Sequence, residues 1–247
     1  MKKIEFVVLN QHEEPSRVMM ALARLTQKGH KIKTSDDLQK LFNSSYKSST
    51  AHEVSRLPHG TIQRFTPITI GIVGASRRFL AQARTHQVGI NYVSASLQYS
   101  DYSNEADFVV PHEIMDSPIE QNYLEKCKHD MAYYKAMIEN GVDNDTAGYA
   151  MNQALRNVLV INANHEAWKH FIRTRGCNRN TSETQYVAIK IWEILLHTNN
   201  GEEMFNNAGP DCVYGSCREG KMSCGKPLPS SPAKIIRKRW PKLVNNN

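Results

Sequence analysis

Between residues 16 and 28, Val18, Leu22 and Leu25 recur at helical spacing with Met19 and Ala21 beside them, and Gly29 follows as a C-cap, which predicts a first amphipathic helix. Ser35-Asp36-Asp37 opens a second helix, with acids in the turn where the helix dipole favours them. Residues 43–55 are polar and serine-rich and read as a loop. Phe65 to Val73 places Ile68, Ile70 and Ile72 at period two, a strand pattern, and Gly74-Ala75-Ser76 is expected to turn the chain into a helix over 77–87. Val93 to Tyr99 is a further β-prone run, and Asp107 to Val110 ends at Pro111.

The second half reads as helical. Ser117 is placed as a cap and Pro118 at the first helical position, with Ile119, Tyr123, Cys127 and Met131 along one face before Asn140-Gly141 stops the helix. Further helices are expected over 144–159, 165–175 and 182–196, the last with Val187, Ile191 and Leu195 every fourth residue. No internal repeat is visible. Met1 to Val8 carries a glutamate inside a short apolar run, so it reads as a first β-strand and not as a signal peptide. Strands with a helix followed by a helical block predict an α+β fold, a small mixed or antiparallel sheet packed with long helices.

Composition narrows the class. The chain has 247 residues, 40% of them hydrophobic and 22% charged, which suits one core-forming domain and excludes a disordered or fibrous chain. The net charge is +7, and five of the positive residues lie between Lys234 and Lys242. The body is therefore nearly balanced, with about +2 left. A domain over 1–227 and a peripheral basic tail over 228–247 are expected. The longest apolar stretch, Ile68 to Ala75, is far below the roughly 20 residues of a membrane span. A soluble, cytoplasmic protein is expected, with its five cysteines reduced or metal-bound.

Dinucleotide-binding GxGxxG, Walker, HExxH and GxSxG patterns are absent, which argues against four common enzyme classes. What stands out is a concentration of hydrogen-bonding groups around one strand–helix unit: His59 and Thr61, Gly74, Ser76 and Arg77, Gln82, His86, then Ser94, Ser96, Gln98 and Tyr99. Such density suits an anion or nucleotide. Taken alone, the same residues fit helix capping and solvent exposure.

The order and spacing of these residues resemble the flavin-dependent thymidylate synthases. In that family a histidine, a serine or threonine two further on and a Gly-x-Ser-Arg lead to a glutamine, an Arg-His-Arg triplet and a Ser-x-Arg-Tyr ending. His59, Thr61, Gly74, Ser76, Arg77, Gln82 and His86 fall in register, and one inserted residue aligns Ser96 and Tyr99. Asn164, His170, Phe171, Arg175 and Cys177 sit as in the family's Asn-x-Arg…His-Phe-x-x-x-Arg-x-Cys segment, and Glu183 follows at the family's distance. Residues 208–226 resemble the ending of many bacterial members. The chain departs from the pattern at Thr85, Gln87 and Gln98, each in place of an arginine, at Arg64-Phe65 in place of Glu-His, and at Glu166 in place of an arginine. Each lost charged hydrogen bond costs about 1.5 to 3 kcal/mol unless Arg64, Arg77, Arg78 or Arg84 substitutes.

The resemblance implies conversion of dUMP to dTMP, with methylenetetrahydrofolate as carbon donor, FAD as hydride carrier and NADPH as reductant, in a homotetramer whose sites combine elements of different subunits. It implies Arg175 as the catalytic and uracil-binding residue. It implies Gln82, Ser96, Leu97, Gln98 and Arg156, the last on the helix preceding Asn164, as further substrate-binding residues. For FAD it implies His59, Thr61, Thr85, His86, Gln87, Asn164 and His170. A guanidinium beside the uracil carbonyls would stabilise negative charge developing there. Two alternatives stay open: a diverged homologue modifying a pyrimidine deoxynucleotide, for instance by hydroxymethylation, and a non-catalytic nucleotide- or RNA-binding protein. No nucleic-acid-binding motif accompanies Lys234 to Lys242 and Trp240. Cys212, Cys217 and Cys224 are spaced C-x4-C-x6-C, three thiols where a structural zinc takes four ligands, so a buried-thiol turn without metal is the expectation.

Overall fold

The computed structural model describes residues 3–104, 106–215 and 217–244. In chain order the elements are β1 (Glu5–Asn10), α1 (Pro15–Lys28), α2 (Ser35–Phe42), α3 (Ser48–Val54), β2 (Ile68–Ser76), α4 (Arg77–Ala83) and β3 (Ile90–Ser94). There follow α5 (Glu120–Glu139), α6 (Asn144–Ala147), β4 (Arg156–Ala163), α7 (His165–Arg175), α8 (Ser182–Leu196), α9 (Gly201–Phe205), α10 (Pro232–Arg239) and α11 (Pro241–Val244). The four strands pair in the order β1-β2-β4-β3, every pair antiparallel. This is the α+β arrangement expected.

Period two does the sorting across the sheet. Ile70 faces Ile161 and Ile72 faces Leu159 in the β2–β4 register, and all four side chains are buried against Trp168, Phe171, Val187 and Ile191 of α7 and α8. The other face carries Val7, Leu9, Val73, Val93 and Val158, which remain 44% to 71% exposed. One face of the sheet thus holds the core and the other is apolar and open.

Several sequence expectations need correction. The helix over 144–159 is instead the four-residue α6 and the central strand β4, whose Arg156-Asn-Val-Leu-Val-Ile-Asn-Ala163 run is apolar on both faces. A short run of that kind does not distinguish strand from helix by periodicity. The loop over 43–55 contains α3, anchored where Ala51 and Ser55 are buried and where the Ser55 hydroxyl donates to the Glu203 carbonyl at 2.6 Å. Gly74 does not end β2; it takes φ +90 at a bulge between Val73 and Ala75, where a Cβ would lie 1.9 Å from the Arg156 guanidinium. The strand expected over 93–99 lies at 90–94, because pairing with β4 sets its ends. Gly29 is right-handed, so it passes α1 into a 3-10 turn. Helix α5 starts at Glu120, and the Ser117 hydroxyl closes the preceding turn onto the Ile114 carbonyl at 2.6 Å. The first strand runs four residues later than its expected start; Met1 and Lys2 lie outside the described residues.

The segment expected as a peripheral tail is packed. Ile235, Ile236 and Trp240 are buried in the same core as α8, the Trp240 indole N–H donates to the Ser182 hydroxyl at 2.9 Å, and its ring meets Tyr186 edge-on at 5.3 Å. Lys234, Arg237 and Lys238 are exposed and Arg239 donates to Asn178, while the apolar residues complete the core. Among the described residues no helix is long and apolar enough to cross a membrane.

Candidate active site

Helix α4 ends at Ala83, short of the expected 87, and this frees Thr85 and His86 to face α7. Asn164 caps α7, its side-chain oxygen accepting from Ala167 N–H at 2.9 Å, and the helix then delivers His170 and Arg175 one and a half turns apart. The Arg175 guanidinium is held at three points: Nε donates to His86 Nε2 at 2.9 Å, one terminal nitrogen donates to Asn180 Oδ1 at 3.1 Å and the other to Thr85 Oγ1 at 2.6 Å. A guanidinium has five N–H donors, so two remain for a ligand.

His86 can accept this bond because it is neutral. Burial, then the nearby Arg175 charge and His170, push its imidazole down to about 4. Its ring packs edge-on against His170 and Phe171, each at 5.2 Å. With Nε2 accepting, the ring proton is assigned to Nδ1. Burial also lowers the Arg175 guanidinium slightly, opposed by Tyr92, whose own hydroxyl donates to the Ala83 carbonyl.

A second junction joins the start of α8 to the Gly-x-Ser-Arg turn. Ser76 donates from its backbone N–H and its hydroxyl to the two Glu183 carboxylate oxygens, at 2.6 and 2.5 Å, and Thr184 donates to Gln82 Oε1 at 3.1 Å. Burial pushes the Glu183 carboxyl up, and the Ser76 bonds work against that rise. The side-chain carbonyl of Gln82, expected to point to substrate, is thus used within the fold.

Reaching His170 of the first junction is a cleft of about 540 Å³, lined also by Arg56, Gly60, Arg64, Glu166, Lys169, Arg173 and Arg218. Arg64 and Glu166, both departures from the family pattern, pair with each other at 2.5 Å, and the Glu166 carboxylate covers Gly60, where a Cβ would lie 1.9 Å away. The charges lost and gained in sequence are therefore matched in space. Asp211 bridges Arg173 and Arg218 at 3.4 and 3.2 Å, yet cations still outnumber carboxylates in this cleft. Lys169, which sequence reasoning did not single out, is 7% exposed and donates to the Ser55 carbonyl at 2.7 Å and to Gln63 Oε1 at 2.9 Å. Nothing in its local sequence marks it, because its partners are more than a hundred residues away.

The other expected residues lie apart. His59 and Thr61 are exposed on the 3-10 turn at the cleft rim, and Gln87 is exposed on the loop before β3. Ser96 accepts from Gln98 N–H at 3.1 Å, so these two form their own turn, with Leu97 packed over Gly148. Arg156 is on strand β4 and not on a helix; its guanidinium donates to the Lys3 carbonyl at 2.8 Å and lies 3.4 Å from Asp107. Of the arginines considered as substitutes, Arg78 donates to Gln153, Arg84 to Ser94 and Arg64 to Glu166. A single chain thus joins Thr85, His86, His170 and Arg175, and leaves Ser96, Leu97, Gln98 and Arg156 elsewhere.

The family described as thymidylate synthase complementing protein matches residues 7–198, and the chain belongs to this family, that of the flavin-dependent thymidylate synthases. The flavin-dependent thymidylate synthase of Geobacter sulfurreducens is 25% identical over 223 residues, covering 89% of this chain and 94% of its own. That of Pyrococcus abyssi is 27% identical over 196 residues, covering 75% and 77%. The fold is shared with thymidylate synthase X of Helicobacter pylori, solved with FAD and dUMP, at a TM-score of 0.65, 15% identity and coverage of 83% and 99%. A UMP/dUMP methylase of Streptomyces cacaoi bound with 5-Br dUMP superposes at 0.64 with 12% identity, covering 82% and 95%.

Proposed function

We propose that this chain converts dUMP to dTMP, with methylenetetrahydrofolate as carbon donor, FAD as flavin and NADPH as reductant. The observation that carries the reading is the Arg175 clamp: a guanidinium fixed by His86, Asn180 and Thr85 with two donors left over. A charge held in advance stabilises an oxyanion better than one that must reorganise. Arg175 would bind the uracil carbonyl edge, where negative charge gathers as the ring is activated. His86, neutral across the physiological range, would keep the guanidinium oriented without competing for the substrate's charge.

The fit to a flavin nucleotide rests on the cleft chemistry. Arg56, Arg173 and Arg218 outweigh the carboxylates there, which suits a pyrophosphate-bearing group. When bound, the flavin supplies hydride transfer, which no side chain can provide. His170, at the cleft wall and against His86, would line it, and Thr85, Gln87, Asn164, Thr61 and His59 would add further contacts. No cysteine nucleophile is required, which is consistent with five free thiols, none hydrogen-bonded to a histidine among the described contacts.

A homotetramer agrees with two features: Ser96, Leu97, Gln98 and Arg156 lie apart from Arg175 within one chain, and the open sheet face exposes five large apolar side chains. In such an assembly Ser96 and Gln98 of one protomer would complete the phosphate site of another. A second reading, a diverged enzyme acting on UMP or another pyrimidine nucleotide, is favoured by Gln98 where the family has arginine. The test is the visible spectrum of purified protein given FAD, freed of unbound flavin, before and after dUMP. A retained flavin spectrum perturbed by dUMP and not by UMP is expected. Retention with equal response to UMP favours the second reading, and no retained flavin rejects both.

A further inference from the structure

Four of the five cysteines converge, one of them 35 or more residues from the other three in sequence. Cys177, just past the C-terminus of α7, and Cys212, Cys217 and Cys224 of the C-terminal loop line one pocket of about 220 Å³. The sequence offers three thiols at C-x4-C-x6-C; the fold supplies the fourth. We propose that Cys177, Cys212, Cys217 and Cys224 bind one zinc ion as a structural tetrathiolate site.

The chain around the pocket has the character of a metal-organised loop. Over 206–231 the described residues contain only two three-residue 3-10 turns, and Gly215, Gly220 and Gly225 take positive φ with open space around each. Ala208 and Leu228 anchor its two ends in the core, and the stretch between them buries little apolar surface beyond Cys212 and Val213. It is gripped instead by the 178–180 turn: Asn178 donates to the Lys226 carbonyl at 2.6 Å and approaches the Cys224 sulfur at 4.0 Å, Arg179 donates to the Met222 carbonyl, and Gln185 orients Asn178 at 2.9 Å. These bonds bring the Cys177 turn and the Cys224 turn face to face.

Cys177, Cys212, Cys217 and Cys224 all border this one pocket, so the four residues share a common space. Crowded thiols repel as thiolates, and a dication at their centre removes that repulsion while each sulfur releases its proton to solvent. Among the described residues no three Cys, His, Asp or Glu side chains are already assembled as a metal-binding group, so binding must draw the sulfurs inward to about 2.3 Å from the ion. The loop's glycines allow that closure. The site would also brace the 176–180 turn, whose Asn180 holds Arg175.

Zinc content of the full-length protein, purified under reducing conditions with zinc supplied and without chelators, tests this. About one zinc per chain is expected, released by a thiol-specific mercurial, and Co(II) substitution should show the thiolate charge-transfer and visible bands of a tetrahedral tetrathiolate. The Cys177→Ser and Cys217→Ser variants should each lose the ion. Folded protein, checked by circular dichroism, that takes up no zinc after reconstitution overturns the proposal. So does a cobalt spectrum without thiolate bands, or a disulfide among these cysteines in the freshly isolated reduced-buffer protein.

Discussion

Lys169 couples the cleft to pH in a way that can be measured. Burial, with smaller contributions from Arg173 and Arg56, holds its amine down to about 7, against an ordinary 10.5; Glu166 opposes the shift. The folded chain therefore resists a proton that the unfolded chain holds throughout this window. Stability should rise with pH between 7 and 10.5, by up to about 1.4 kcal/mol per unit, and the full cost of the buried charge, on the order of 5 kcal/mol, is present below pH 7. Lys169→Met removes the titration while filling similar volume. It leaves Gln63 Oε1 without its donor, but the Ser55 carbonyl keeps Gln63 Nε2 at 3.0 Å. Urea unfolding followed through the buried Trp168, Trp192 and Trp240 would compare the two proteins at several pH values. Wild type minus variant should increase by about 2 to 3 kcal/mol from pH 7.5 to 9.5, since other titrating groups cancel in the difference. A difference that stays constant across that range would refute the assignment of a depressed amine.

Two further predictions concern the site and the C-terminus. Arg175→Ala should slow thymidylate formation by about 10² to 10³ while flavin is retained, and Arg175→Lys should fall between, because lysine keeps the charge but not the fork. Unchanged steady-state turnover would remove Arg175 from the chemistry. Trp240→Ala should cost about 3 to 5 kcal/mol in denaturant unfolding, through the emptied volume beside Tyr186 and the lost bond to Ser182. A loss below about 1 kcal/mol would return residues 228–247 to the status of a tail.

The exchange between positions 64 and 166 bears on how far the family's site can drift. Taken singly, an arginine at 64 and a glutamate at 166 reverse the family's charges; in space they form one ion pair on the cleft wall. Exposed to solvent as it is, such a pair contributes little to stability. Its consequence lies in keeping the wall's net charge, since the paired charges cancel beside Arg56, Arg173 and Arg218.

Where local patterning and final environment agree, the sequence by itself determined the structure: α7 and α8 begin and end at the expected residues, and Ile68, Ile70 and Ile72 face the core. The spacing of His59, Ser76, His86, Asn164 and Arg175 was enough to name the family, since a motif that keeps its order along the chain can be read without the fold. Tertiary structure decided whatever depends on distant partners. Strand β4 is apolar on both faces, so only its pairing with β2 and β3 makes it a strand. The buried state of Lys169, the pairing of Arg64 with Glu166, the burial of Trp240 and the fourth cysteine all join residues 35 or more positions apart. A linear pattern carries the periodicity of one element, whereas burial and charge pairing are properties of the space between elements.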